Sequence, residues 1–241
     1  MPPLNLIADL RARVAALESP SARGGCGVLP FGVPVLDRAL PDGGLRLGAT
    51  HEIREGGPGA AQAHAAAATL FAAAAAARTD KPVLWVTPAR DLFAPGLAGV
   101  GLHPDRLIVV EARSATGVLG LIEEGLRCPA LGTVVGEARS VSLAQSRRLQ
   151  LAAEASGVMA LMLLRWSAAD APSAAQTRWR VACVQSAPLG MPGVGRARWQ
   201  VELLRCRGTE GAMFTMEAAD AQGHLALAPD LVDRPLARRA A

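Results

Sequence analysis

The chain has 241 residues and a mass of 24.9 kDa, enough for one large domain or two small ones with a substantial buried core. Hydrophobic residues make up 51%, charged residues 19%, and mean hydropathy is +0.24, which excludes wholesale disorder. A net charge of +4 and a pI near 9.4 permit contact with nucleic acid without requiring it. Alanine supplies much of the hydrophobic fraction, and tyrosine is absent. All basic residues but Lys81 are arginine, so arginine abundance alone is a weak signal. Any chemistry that needs a lysine must find it at Lys81. Cys26, Cys128, Cys183 and Cys206 lie far apart with no C-x-x-C pair. Neither zinc nor a disulfide framework is expected, and free thiols fit a reducing cytosol. The opening MPPLNLIADLRARV has no basic region followed by a long apolar run, so no signal peptide is expected. Residues 60–77 are nearly uncharged, but they are alanine rather than leucine and are interrupted by Gln62 and His64. That pattern predicts a buried helix and no membrane contact.

Along the chain, Leu6, Leu10, Val14 and Leu17 fall on one helical face between polar residues, predicting an amphipathic arm over 4–17. SPSARGGCG at 19–27 is a linker by composition, so residues 1–27 form a separate unit. The arm must bury its stripe either on its own body or on a partner. From Val28 the pattern alternates. It predicts a short helix over Pro34–Ala39, a turn at 41–44 and a strand over Ala49–Arg54. A Gly/Pro loop at 56–59 and a helix from Ala60 to Arg78 follow. Strands are predicted over Val83–Thr87 and Leu107–Glu111, then a helix over Ala115–Arg127 and a strand over Thr133–Gly136. A helix over Leu143–Ser156 leads into an apolar strand over Val158–Arg165. Continuous apolar strands between amphipathic helices mean a parallel sheet buried on both faces. Thereafter Arg178–Gln185, Ala197–Cys206, Ala212–Glu217 and His224–Leu227 follow without helices, as antiparallel strands added at the sheet edge. Residues 28–230 make up the core and 231–241 a basic tail carrying Arg234, Arg238 and Arg239.

A glycine-rich loop between a first strand and a first helix is where α/β proteins bind phosphate, through converging amides and the helix dipole. The P-loop form is G-x-x-x-x-G-K-[ST]. Here the loop reads Gly57-Pro58-Gly59-Ala60-Ala61-Gln62-Ala63-His64. Gln62 stands at the second glycine, Ala63 at the lysine and His64 at the Mg²⁺-binding hydroxyl. The Walker B strand ends in Gly136, with Glu137 one residue late, and the nearest acid after Val83–Thr87 is Asp91. Phosphoryl transfer depends on cations around the β- and γ-phosphates, so hydrolysis by this chain is not expected and no catalytic or metal-ligating residue is assigned. Gly57, Gly59, Ala60 and His64 are the vestigial nucleotide loop, where residual ATP binding through backbone amides stays open.

The run LPFGVPVLDRALPDGGLRLGATHEI at 29–53 is similar to the segment that leads into the P-loop of RecA-type ATPases. With SRRLQLAAEASGV at 146–158, SAAQTRWRVACVQS at 173–186 and RARWQVELLRCRG at 196–208, the chain resembles the ImuA family of RecA-like proteins. The resemblance spans about residues 28–230. It implies a RecA-like P-loop-type α/β core: a mostly parallel sheet flanked by helices, with antiparallel C-terminal edge strands and an N-terminal helical arm. It also implies a cytoplasmic, nucleoid-associated accessory protein of SOS-induced mutagenesis, without a cofactor. Such a protein works with ImuB, an error-prone polymerase and RecA in translesion synthesis, touching DNA directly or indirectly. The alternative is a DNA-stimulated ATPase with phosphate contacts at Gly57, Gly59, His64 and Glu137. A third reading is a cell-division inhibitor on a reduced RecA-like core, though such proteins lack the long basic ending.

Strand alternation puts Arg178 and Arg180 on one face of their strand and Trp179 on the other. The same parity puts Arg196 and Arg198 opposite Trp199. Two tryptophans are thus expected in the core and four arginines on one exposed face. That face is either solvated or a surface for nucleic acid or an acidic partner, since phosphate contacts need only cations. Arg178, Arg180, Arg196 and Arg198, with Leu6, Leu10, Val14 and Leu17 of the arm, are the candidate contact residues.

Overall fold

The computed structural model describes residues 26–56, 61–165, 171–186, 193, 195–206 and 211–228. The arm with its stripe of Leu6, Leu10, Val14 and Leu17, and the basic tail, lie outside the described residues. Two short strands, β1 (Val28–Leu29) and β2 (Leu45–Arg46), pair antiparallel around α1 (Pro34–Arg38). The remaining strands are β3 (Thr50–Glu55), β4 (Val83–Thr87), β5 (Leu107–Glu111), β6 (Thr133–Ala138), β7 (Met159–Leu164), β8 (Thr177–Val184), β9 (Arg198–Cys206), β10 (Ala212–Glu217) and β11 (Ala226–Leu227). They form one nine-stranded sheet in the order β11-β10-β9-β8-β3-β7-β6-β4-β5.

Strands β5 through β8 are parallel in this order, and β9, β10 and β11 are antiparallel. The expectation of an antiparallel strand over 178–185 is therefore corrected: β8 runs parallel to β3. The chain returns to the starting end of β3 before entering β8, where the Gln176 N–H donates to the Thr50 carbonyl (2.8 Å).

Helices α2 (Ala61–Ala77) and α3 (Ala94–Ala98) lie with α1 on one face of the sheet. The other face carries α4 (Ala115–Leu126) and α5 (Leu143–Ser156). Ser114 and Ser142 cap α4 and α5 by accepting the amides of Gly117 and Gln145, and Gln145 closes a capping box. The alanine run makes sense against the sheet. Ala67, Ala68 and Ala72–Ala76 are buried, so the α2 backbone sits close and Phe71 alone projects deep into the core. Its ring centroid lies 5.5 Å from Phe31, 5.8 Å from Trp179 and 6.4 Å from Trp199. Both tryptophans are buried, as the strand parity predicts. Among the described residues no helix is long and apolar enough to cross a membrane.

Candidate functional site

β3 ends at Glu55, and the expected phosphate loop follows. Gly57, Gly59 and Ala60 lie outside the described residues, but both anchors of the loop are described. Before it, the Gly56 N–H donates to the Val181 carbonyl (2.6 Å). A Cβ on Gly56 would stand 2.5 Å from that of Ala182, so the close approach to β8 needs glycine. After the loop, the Cys183 N–H donates to Nδ1 of His64 (3.0 Å). That nitrogen is therefore the unprotonated one, and its lone pair is spent on a backbone amide. His64 stands where a P-loop carries its metal-binding hydroxyl, and here it stitches the start of α2 to β8.

The end of β6 is closely packed as well. A Cβ on Gly136 would lie 2.1 Å from Cδ1 and 2.7 Å from Cγ1 of Ile122 on α4. An aspartate at this position has to displace a core isoleucine. Glu137, one residue on, is 1% exposed and points to the opposite face. Its Oε1 accepts from the Trp85 indole N–H (2.7 Å) and its Oε2 from Nη1 of Arg165 (2.9 Å). The same Nη1 reaches Oδ2 of Asp91 (2.9 Å), so Asp91 and Glu137 share one guanidinium. Burial pulls the Arg165 pKa down, but the hydrogen bonds and attraction of Glu137 and Asp91 outweigh it and hold it above the ordinary value. Both oxygens of Glu137 are thus in use, and Arg165 supplies the counter-charge a metal would bring. A cavity of about 520 Å³ opens beside this group, bordered by Gln62, Thr69, Leu92 and Phe93. Among the described residues, no three or more His, Cys, Asp or Glu are arranged to hold a metal ion.

The four arginines do not share one environment, and the expectation of a common exposed face is corrected. Arg178 and Arg198 are buried. Register explains the first: β3 pairs Glu52 with Arg178, and their side chains form an ion pair of 2.7 Å. Ser173 donates its hydroxyl to Glu52, and Arg178 donates to the Ala171 carbonyl. Arg180 pairs with Glu202 (3.1 Å), and Glu217 faces both Arg196 (3.3 Å) and Arg198 (3.9 Å). Only Arg180 and Arg196 keep side chains about two-fifths exposed. Sequence reasoning missed Arg165, whose signal was a lone charge closing an apolar strand. It also missed His51, which is fully buried with Nε2 on the Arg46 carbonyl (2.9 Å) and Nδ1 on the Thr177 hydroxyl (2.8 Å).

No protein-family model matches the chain. Protein ImuA of Caulobacter vibrioides strain NA1000 / CB15N is 40% identical over 214 residues, a match spanning 82% of this chain and 85% of that protein. The chain belongs to the ImuA family. Protein ImuA of the ATCC 19089 / CIP 103742 / CB 15 strain matches to the same extent. The crystal structure of the RadB recombinase superposes with a TM-score of 0.59 at 18% identity, covering 83% of this chain and all of RadB. This ImuA-family chain therefore has the RecA-like fold, with β3, α2 and β6 in the places of the P-loop strand, the P-loop helix and the Walker B strand.

Proposed function

We propose that this ImuA-family protein is a non-catalytic RecA-like accessory factor of the SOS response. It supports error-prone translesion synthesis by contact with ImuB, an error-prone polymerase and RecA, and works on DNA in the cytoplasm. Family membership and the RecA-like core support the accessory role in induced mutagenesis. The observation that carries the non-catalytic reading is Glu137. Its two oxygens are held by Trp85 and Arg165 beside the cavity bordered by Gln62 and Thr69 of α2, which leaves neither free for a metal or an attacking water. His64, spent on the Cys183 amide, argues the same way.

Isothermal titration with ATP and Mg²⁺, with and without single-stranded DNA, tests this reading. No heat up to millimolar ligand is expected, corresponding to binding weaker than about −4 kcal/mol. Micromolar binding with DNA-stimulated hydrolysis that Glu137→Ala abolishes would replace it with an ATPase. Pull-down with ImuB, the polymerase and RecA supplies the second arm. Retention of all three by a chain lacking residues 1–27 would remove the arm from the contact surface.

A further inference from the structure

Among the described residues β5 is the last strand on its side of the sheet, so one row of its backbone N–H and C=O groups has no strand opposite. Natural edge strands carry lysine, proline or a bulge that turns other strands away. β5 reads Leu107-Ile108-Val109-Val110-Glu111 and has none of these. Its one charge, Glu111, is held by Arg90 at the strand end. Ile108 and Val109 point to opposite faces, yet they are 48% and 46% exposed.

The apolar surface continues onto α4. Ile108 stands beside Leu84 in the register, and Leu84 packs into the cluster under α4. On that helix Glu123 and Arg127 face α5, where Arg148 binds Glu123. Leu121 lies about 200° around the helix from Glu123, on the flank toward β5, and is 37% exposed.

We infer that two copies of this chain pair here, β5 against β5, antiparallel about a two-fold axis through Val109. In that register Val109 faces Val109 of the second copy and Ile108 faces its Val110, so the three central pairs are apolar, while Leu107 faces Glu111 at either end. Beyond the strand ends this arrangement brings exposed Asp105, in the turn Pro104–Arg106, to the same end of the paired strands as exposed Arg113 of the second copy, twice by symmetry. An axis normal to the sheet keeps both α4 helices on one face and brings the two Leu121 flanks together, closing the assembly at two copies. The contact is independent of any nucleotide or DNA binding.

Light scattering on the full chain across a concentration series tests it. The wild type is expected at twice 24.9 kDa, and Val109→Lys at 24.9 kDa with an unchanged circular dichroism spectrum. In a Cys128→Ser background, Val109→Cys is expected to form a disulfide-linked dimer on mild oxidation. Facing residues of an antiparallel pair have Cα atoms about 4.5–5.5 Å apart, within disulfide reach. A wild type that stays at 24.9 kDa throughout, a dimer that Val109→Lys leaves intact, or growth beyond two copies would each overturn the two-fold pairing. So would a Val109→Cys variant that keeps the doubled mass and yet forms no cross-link.

Discussion

The parallel half of the sheet and its strand-only extension both carry arginine–carboxylate pairs, but they use them differently. Between β3 and β8, and at the ends of β6 and β7, the pairs are buried: Glu52–Arg178 and Glu137–Arg165 leave their carboxylates 2% exposed. On β8, β9 and β10 the same residue types also meet at partly exposed positions, in Arg180–Glu202 and Arg196–Glu217, although Arg198 beside Glu217 is buried. A desolvated charge depends on its partner for every hydrogen bond it makes. A hydrated charge exchanges its partner for water. Burial at the individual position, and not residue type, thus separates arginines that hold the fold, Arg178 and Arg198 among them, from Arg180 and Arg196, which keep contact with solvent.

The comparison breaks most sharply at Arg178. Arg178→Met is expected to cost about 3–5 kcal/mol, because Glu52 is left buried and uncompensated. Urea unfolding followed by tryptophan fluorescence measures it. Adding Glu52→Gln is expected to restore at least half of the loss, since the stranded charge is then gone. If the double variant is no more stable than the single, the penalty lies in lost packing, and the pair is not what the burial implies.

Most of this fold was legible because apolar runs of strand length alternate with helical stretches from Val28 to Arg165, a periodicity that survives without side-chain detail. The fate of the arginines was not. Strand parity gives the face of Arg178, but burial depends on which strand lies beside it. That neighbour, β3, is distant in sequence and parallel, where an antiparallel edge strand was expected. The surroundings of Glu137 were not legible for a similar reason: its partners Trp85 and Arg165, and Asp91 beside them, come from three separate segments that only the crossover topology brings together.

His51 sharpens the comparison from within the parallel half, and its effect is smaller. Burial first, and the nearby Arg46 charge last, lower its pKa from 6.5 to about 4, against a hydrogen bond to the Arg46 carbonyl that raises it. The unfolded chain therefore binds a proton that the folded chain refuses. Stability from the neutral ring is full above about pH 6.5 and is lost as pH falls toward 4, by roughly 3 kcal/mol over that window. Unfolding curves at pH 7, 5.5 and 4 should show this slope, and His51→Gln should flatten it. An unchanged slope in the variant would move the acid sensitivity to the carboxylates.

The smallest stability effects belong to Arg180 and Arg196. Each is about two-fifths exposed and faces a partly exposed glutamate, so Arg180→Ala or Arg196→Ala is expected to cost no more than about 1 kcal/mol. That near-neutrality makes them the clean probes of the strand-only face. Its arginines are matched by Glu202 and Glu217, so attraction for a polyanion is partly cancelled before any ligand arrives. If the face meets DNA, the double variant loses affinity, and the affinity lost is largest at low salt, where unscreened phosphates compete best with the glutamates. An acidic protein surface would respond to the same variant with a weaker salt slope, because it has no condensed counterion layer to release. Binding that the double variant leaves unchanged at every salt concentration would leave this face to solvent, and the contacts of the protein would then lie elsewhere on the chain.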